Sequence, residues 1–232
     1  MLECFADRAD AGNQLAAALH AYAARDDVVV LALPRDDVVV LALPRGGVPV
    51  AYPVARALHA PLDVLVVRKL GVPYEPELAM GAIATGGAIH LQYSVIRSLG
   101  VTDAQIADVL VRETAELNRR EALYRGARAP LPVEGRVAIV VDDGIATGAS
   151  MRVALQALRT RHPARIVAAV PVAPAGIDPT FDDVADAFVA VAQPLSFFGI
   201  SQFYARFEQT DDDEVRALLD AARGPDDDVR SV

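Results

Sequence analysis

The chain has 232 residues, 53% of them hydrophobic, which is enough for one full core and too apolar for a disordered chain. Twenty-two Lys and Arg against 31 Asp and Glu leave a formal charge of −9, which argues against bulk DNA or RNA as a partner. Eight acids and three bases fall in residues 211–232, so much of the acidity belongs to a last helix and a tail.

The lone Cys4 excludes a disulfide framework and a cysteine zinc site. His20, His59, His90 and His162 are scattered without metal-ligand spacing. No apolar run reaches the roughly 18 residues of a membrane span, and the first residues do not read as a secretory leader. The expectation is a cytoplasmic protein with no membrane partner.

In chain order, residues 11–24 read as an amphipathic helix with Leu15, Leu19 and Tyr22 on one face. DDVVVLALPR then occurs twice in tandem, at 26–35 and 36–45. Each copy is a strand candidate that a proline stops. Only the second continues into Gly46-Gly47, so it is expected to form the central strand, with 26–35 extruded as a loop or extra edge strand. GGVPVAYPVARALHA becomes helical towards Leu58, and Pro49 and Pro53 are tolerable only in first turns. DVLVVR (63–68) reads as one buried strand, and the Gly- and Pro-rich stretch 69–87 as a long loop. A short strand at 88–91 follows. Thr102 and Gln105 make a capping box for a helix to about Arg120. Strand 136–141, a Gly-rich turn, a helix at 149–161, strands 165–172 and 186–192, and a helix capped by Thr210 and ending near Ala222 complete the order. Apolar strands alternating with helices predict an α/β fold with a doubly wound, mostly parallel sheet. Residues 1–222 are expected to form a single domain, with 223–232 a flexible acidic tail.

In such sheets ligands sit beyond the carboxyl ends of the strands. After strand 136–141 comes Asp142-Asp143-Gly144-Ile145-Ala146-Thr147-Gly148-Ala149-Ser150. Free amides, two hydroxyls and a helix N-terminus here make a cradle for one phosphate. The sequence has neither the Gly-Lys-Ser/Thr of a nucleotide P-loop nor GxGxxG. The two carboxylates suit hydroxyls or a metal ion beside that phosphate.

VAIVVDDGIATGAS resembles the signature with which class I phosphoribosyltransferases bind 5-phosphoribosyl 1-pyrophosphate (PRPP). PRGGVPVA, DVLVVRKLG, GAIATGG and PLSFFGISQFYARFEQTDDDEV extend the resemblance to stand-alone bacterial phosphoribosyltransferase-like proteins with no assigned base, over most of residues 1–222. The duplicated decapeptide departs from that pattern. The resemblance implies that Ala146, Thr147, Gly148, Ala149 and Ser150 bind the 5-phosphate. It implies that Asp142 and Asp143 hold the ribose hydroxyls directly or through Mg²⁺. Arg45, Gly46, Gly47, Arg68 and Lys69 would take pyrophosphate, with Lys69 and the two acids counted as catalytic. Loop 69–87 would close over the site. A small hood, mainly 193–210, would bring Phe197, Phe198, Phe203 and Tyr204 to a flat nitrogenous base, although core packing explains these aromatics equally well. No residue stands out as a general base. The implied activity is Mg²⁺-dependent transfer of the phosphoribosyl group from PRPP to a base, and the family leaves room for a homodimer. A catalytically silent PRPP-binding regulator is the alternative. A phosphatase using Asp142 or Asp143 as nucleophile explains the Thr-Gly-Ala-Ser stretch less well.

Overall fold

The structure, a computed structural model, describes residues 5–23 and 37–223. The first decapeptide copy and the tail from 224 onward lie outside the described residues, as does Cys4. The chain runs α1 (Arg8–Ala23), β1 (Val38–Ala42), α2 (Gly47–Leu58), β2 (Leu62–Val64), β3 (Val67–Val72), β4 (Glu75–Ala84) and β5 (Ala88–Leu91). It continues through α3 (Tyr93–Ser98), α4 (Asp103–Arg125), β6 (Val137–Val141), α5 (Ala149–Arg159), β7 (Arg165–Val172), β8 (Ala187–Ala192) and α6 (Asp212–Ala221).

Five strands form a parallel sheet in the order β2-β1-β6-β7-β8. Strand residues alternate between its two faces. Val40, Ala42, Ile139, Val141, Val167 and Ala169 pack with Leu15 and Leu19 of α1, Val50 and Val54 of α2, Leu117 of α4 and Leu219 of α6. Val39, Leu41, Ala138, Val140, Ile166 and Ala168 pack on the other face with Met151, Leu155 and Leu158 of α5. Helices on both faces explain why these strands read as unbroken apolar runs.

The second decapeptide copy supplies β1, which is interior, but β6 and not β1 is the middle strand. The segment 63–68 is not one strand. It leaves the sheet after Val64, because the Val66 N–H donates to Thr85 Oγ1 at 2.8 Å and Val66 O accepts from Thr85 N at 2.9 Å. The stretch 69–87 is not a loop either. β3, β4 and β5 form an antiparallel three-stranded sheet, with Lys69 opposite Ala82. Its prolines fall in the turn (Pro73) and near the start of β4 (Pro76), where no ladder donor is missed.

Pro53 is the seventh residue of α2, beyond the first turn, so the Pro49 carbonyl lacks its usual helical donor. The α4 capping box forms as expected, and that helix runs on to Arg125. The cap of α6 is Asp211, which accepts the Glu214 N–H at 2.8 Å, while Thr210 is buried. The short helix α3 was not expected. A buried cluster joins β2 to the end of α4: Arg125 Nε lies 2.7 and 2.9 Å from the two Asp63 oxygens, which also accept the Val64 and Leu131 N–H groups.

Candidate functional site

Beyond the carboxyl ends of β1 and β6 lies a cavity of about 620 Å³. Leu43 and Pro44 line it from the loop after β1, Lys69 from β3, Arg120 from α4, Asp142 from the end of β6, and Ala149 and Ser150 from the start of α5. The crossover topology brings five separate segments to one place, where open α/β sheets bind ligands.

The two acids are not equivalent. Asp142 faces the cavity, and its Oδ1 accepts the Asp143 N–H at 2.9 Å. Asp143 is not among the residues lining the cavity. Its Oδ2 accepts both Nε and Nη2 of Arg8, at 2.9 and 2.8 Å, and its backbone carbonyl accepts the Tyr204 hydroxyl at 2.6 Å. Burial, and then the neighbouring Asp143, push the Asp142 carboxyl well above the usual carboxylate range. Burial raises Asp143 too, and Arg8 works against that rise.

The segment read as a phosphate cradle leads into α5. Gly148 precedes α5 at φ 79°, ψ −3°, a left-handed conformation that favours glycine. No side chain caps this helix, and the Ala149 N–H finds only Thr147 Oγ1, at 3.4 Å. Ala146, Thr147, Ala149 and Ser150 are exposed, so the helix start is open to an anion.

In the loop after β1, Leu43 N–H donates to Val141 O at 2.9 Å and Gly47 N–H to Leu43 O at 3.1 Å. The Pro44–Arg45 peptide is cis. A side chain at Gly46 would put its Cβ 2.1 Å from Asp143 Oδ2, so only glycine lets the loop lie against the acid pair. Arg45 is exposed at the tip.

Lys69 reaches the cavity, but Arg68 does not line it. Successive strand residues face opposite ways, and Arg68 Nε and Nη2 lie 2.9 and 2.7 Å from Glu113 Oε2 of α4. Arg120 reaches the cavity and was not singled out in the sequence. Its Nε donates to Glu116 Oε1 at 2.8 Å, and hydrogen bonds from Arg119 and Arg120 hold the Glu116 carboxyl down to about 2. No motif could have flagged it, because α4 reaches the site through its packing on β3 and β4. Arg8, at the start of α1, likewise lies far in sequence from the Asp143 it binds.

Of the four hood aromatics, Phe203 and Tyr204 are buried, and Phe197 stacks on Phe203 with ring centroids 5.3 Å apart. Tyr204 packs on Phe5 and Phe207. These contacts serve the core. Phe198, in contrast, is 92% exposed.

Among the described residues no group of three or more His, Cys, Asp and Glu could cage a metal ion. Asp142, the acid that faces the cavity, still fits Mg²⁺, which commonly takes one or two carboxylates and completes its shell with substrate oxygens and water. Among the described residues no helix is long and apolar enough to cross a membrane.

Two proteins from Mycobacterium tuberculosis strains, both provisionally named phosphoribosyl transferases, are 46% identical to the chain over 221 residues. That alignment takes in 95% of this chain, which spans about half (47%) of the length of those curated relatives. The crystal structure of protein TT1426 from Thermus thermophilus is 38% identical and superposes with a TM-score of 0.80, covering 95% of this chain and all of that one. The Phosphoribosyl transferase domain matches residues 7–194, a stretch that holds both glycine-rich loops, the acid pair and the cavity between them. The chain therefore belongs to the phosphoribosyl transferase domain family.

Proposed function

We propose that this chain transfers the 5-phosphoribosyl group of PRPP to a nitrogenous base and releases pyrophosphate. The observation that carries this reading is one cavity lined by two cations, Lys69 and Arg120, by the acid Asp142, and by Ala149 and Ser150 at the uncapped start of α5. Thr147 and Gly148 lead into that helix start, and the Arg45–Gly47 loop follows the lining residues Leu43 and Pro44. In this reading the start of α5 takes the 5-phosphate, Lys69, Arg120 and the loop take pyrophosphate, and Asp142 takes the sugar.

In the transfer, the bond from C1 of the ribose to the pyrophosphate oxygen breaks and its electron pair leaves with pyrophosphate. A bond from C1 to the base nitrogen forms, and that nitrogen gives up its proton to solvent water. The residues at the start of α5 hold the 5-phosphate still, which makes the reaction effectively intramolecular. The Asp142 carboxylate accepts a ribose hydroxyl and offsets positive charge developing on the ring. Lys69, Arg120 and the amide of Gly46 stabilise the charge that builds on the leaving group. Mg²⁺, held by Asp142 together with substrate oxygens, would supply further charge neutralisation on pyrophosphate. Phe198, exposed on the segment that follows β8, is available to a flat base.

The test is pyrophosphate release from PRPP and Mg²⁺ across a panel of purine, pyrimidine and other nitrogenous bases. Release with at least one base, lost in Asp142→Ala, is expected. PRPP binding without release for any base would instead make the chain a sensor.

A further inference from the structure

We propose that Arg8 is a positioning residue for the pyrophosphate end of the site, acting through Asp143 on the loop at Gly46. The inference rests on the reading of the cavity just given. Arg8 is the first residue of α1 and far from every motif in sequence. Its side chain is nonetheless only 12% exposed, and its guanidinium is held on three sides. Nε and Nη2 both donate to Asp143 Oδ2, Nη1 donates to the Glu208 carbonyl, and the guanidinium carbon lies 3.9 Å above the Phe207 ring. The backbone of Gly46 rests directly on this pair. The point where a Cβ would sit on Gly46 is 2.1 Å from Asp143 Oδ2 and 3.3 Å from Arg8 Nε.

Two consequences follow for the loop. The Arg8–Asp143 pair is its bed, so the fork that fixes Asp143 also fixes the height of the Gly46 amide. Arg8 also cancels a carboxylate charge that would otherwise lie beneath the place proposed for an anionic leaving group. The 5-phosphate end depends on neither effect, because it is built on the start of α5. Asp142 is then the acid that meets the sugar, and Asp143 the acid that supports the loop.

The experiment compares wild type, Arg8→Gln and Arg8→Lys by calorimetric titration with Mg²⁺-pyrophosphate and, separately, with ribose 5-phosphate. Arg8→Gln should weaken pyrophosphate roughly tenfold or more, the worth of one charge-assisted hydrogen bond, and leave ribose 5-phosphate within about twofold. Arg8→Lys keeps the charge but not the fork and should fall between. Parallel loss of both ligands, or no loss of either, would overturn the proposal. A second readout needs no ligand. Trypsin cleavage after the exposed Arg45, followed by mass spectrometry, should quicken in Arg8→Gln under conditions where both proteins are folded. An unchanged rate would overturn the proposal even if wild type bound neither ligand, an outcome that would by itself refute the PRPP reading of the cavity.

Discussion

Gly148→Ala tests whether the phosphate cradle needs its backbone shape. Gly148 has φ 79°, and an alanine there pays about 1–2 kcal/mol for the left-handed conformation. The added Cβ would also stand 2.9 Å from Cζ of Phe181. Phe181 cannot swing aside easily, because it is 1% exposed and stacked on Phe188 with ring centroids 5.2 Å apart and planes within 9°. Overpacking of this kind costs about 1–3 kcal/mol. The two effects together should lower the melting temperature by roughly 5–15 °C for a chain of this size. The helix start must also re-aim its amides, so ribose 5-phosphate affinity should fall about tenfold, the equivalent of one anion hydrogen bond. Thermal unfolding and calorimetric titration measure both. Adding Phe181→Leu should recover the steric share of the stability loss and leave the backbone share. An alanine variant that melts with wild type and binds ribose 5-phosphate equally well would refute the reasoning.

Other outcomes follow from the same structure. Burial and Asp143 raise the Asp142 carboxyl, so the folded chain holds that proton more tightly than the unfolded chain does. The associated stability is complete below the unfolded aspartate value of about 4 and is lost as pH rises through the folded value. Asp142→Asn should therefore melt above wild type at neutral pH and level with it at acid pH; the reverse pH trend would contradict the burial assignment. Arg125→Met strands the buried Asp63 and should cost about 3–5 kcal/mol in denaturant unfolding, whereas adding Asp63→Leu should restore much of it. Arg120→Gln should weaken Mg²⁺-pyrophosphate about tenfold while ribose 5-phosphate affinity holds, and equal affinities in calorimetry would remove Arg120 from the site.

Local chemistry was enough to read much of this protein from its residues. Strands β6 and β7 are apolar runs that can only be buried on both faces, and Thr102 with Gln105 names its own helix start. The acid pair, the glycine loop and the uncapped start of α5 lie within nine consecutive residues, so their chemistry was visible without a fold. Segments whose state depends on strand pairing misled the reading. The 69–87 stretch looks like a loop because its glycines and prolines are judged alone, yet β3 and β4 pair as an irregular antiparallel hairpin to which β5 adds a third strand. Residues 63–68 look like one strand until Thr85 captures Val66. Which charges serve the site was likewise undecidable locally. Arg68 and Lys69 are neighbours in sequence, yet strand alternation sends one to Glu113 and the other to the cavity. Arg120 and Arg8 arrive from helices with no motif around them, and Asp143 parts from Asp142 because Arg8 claims its outer oxygen. The sequence by itself determined the parallel α/β sheet and the glycine turn into α5 that we propose holds a phosphate, because periodicity and contiguous motifs are properties of neighbours along the chain. Only the tertiary structure decided the division of labour among the charges, because that depends on which distant side chain is within hydrogen-bond reach.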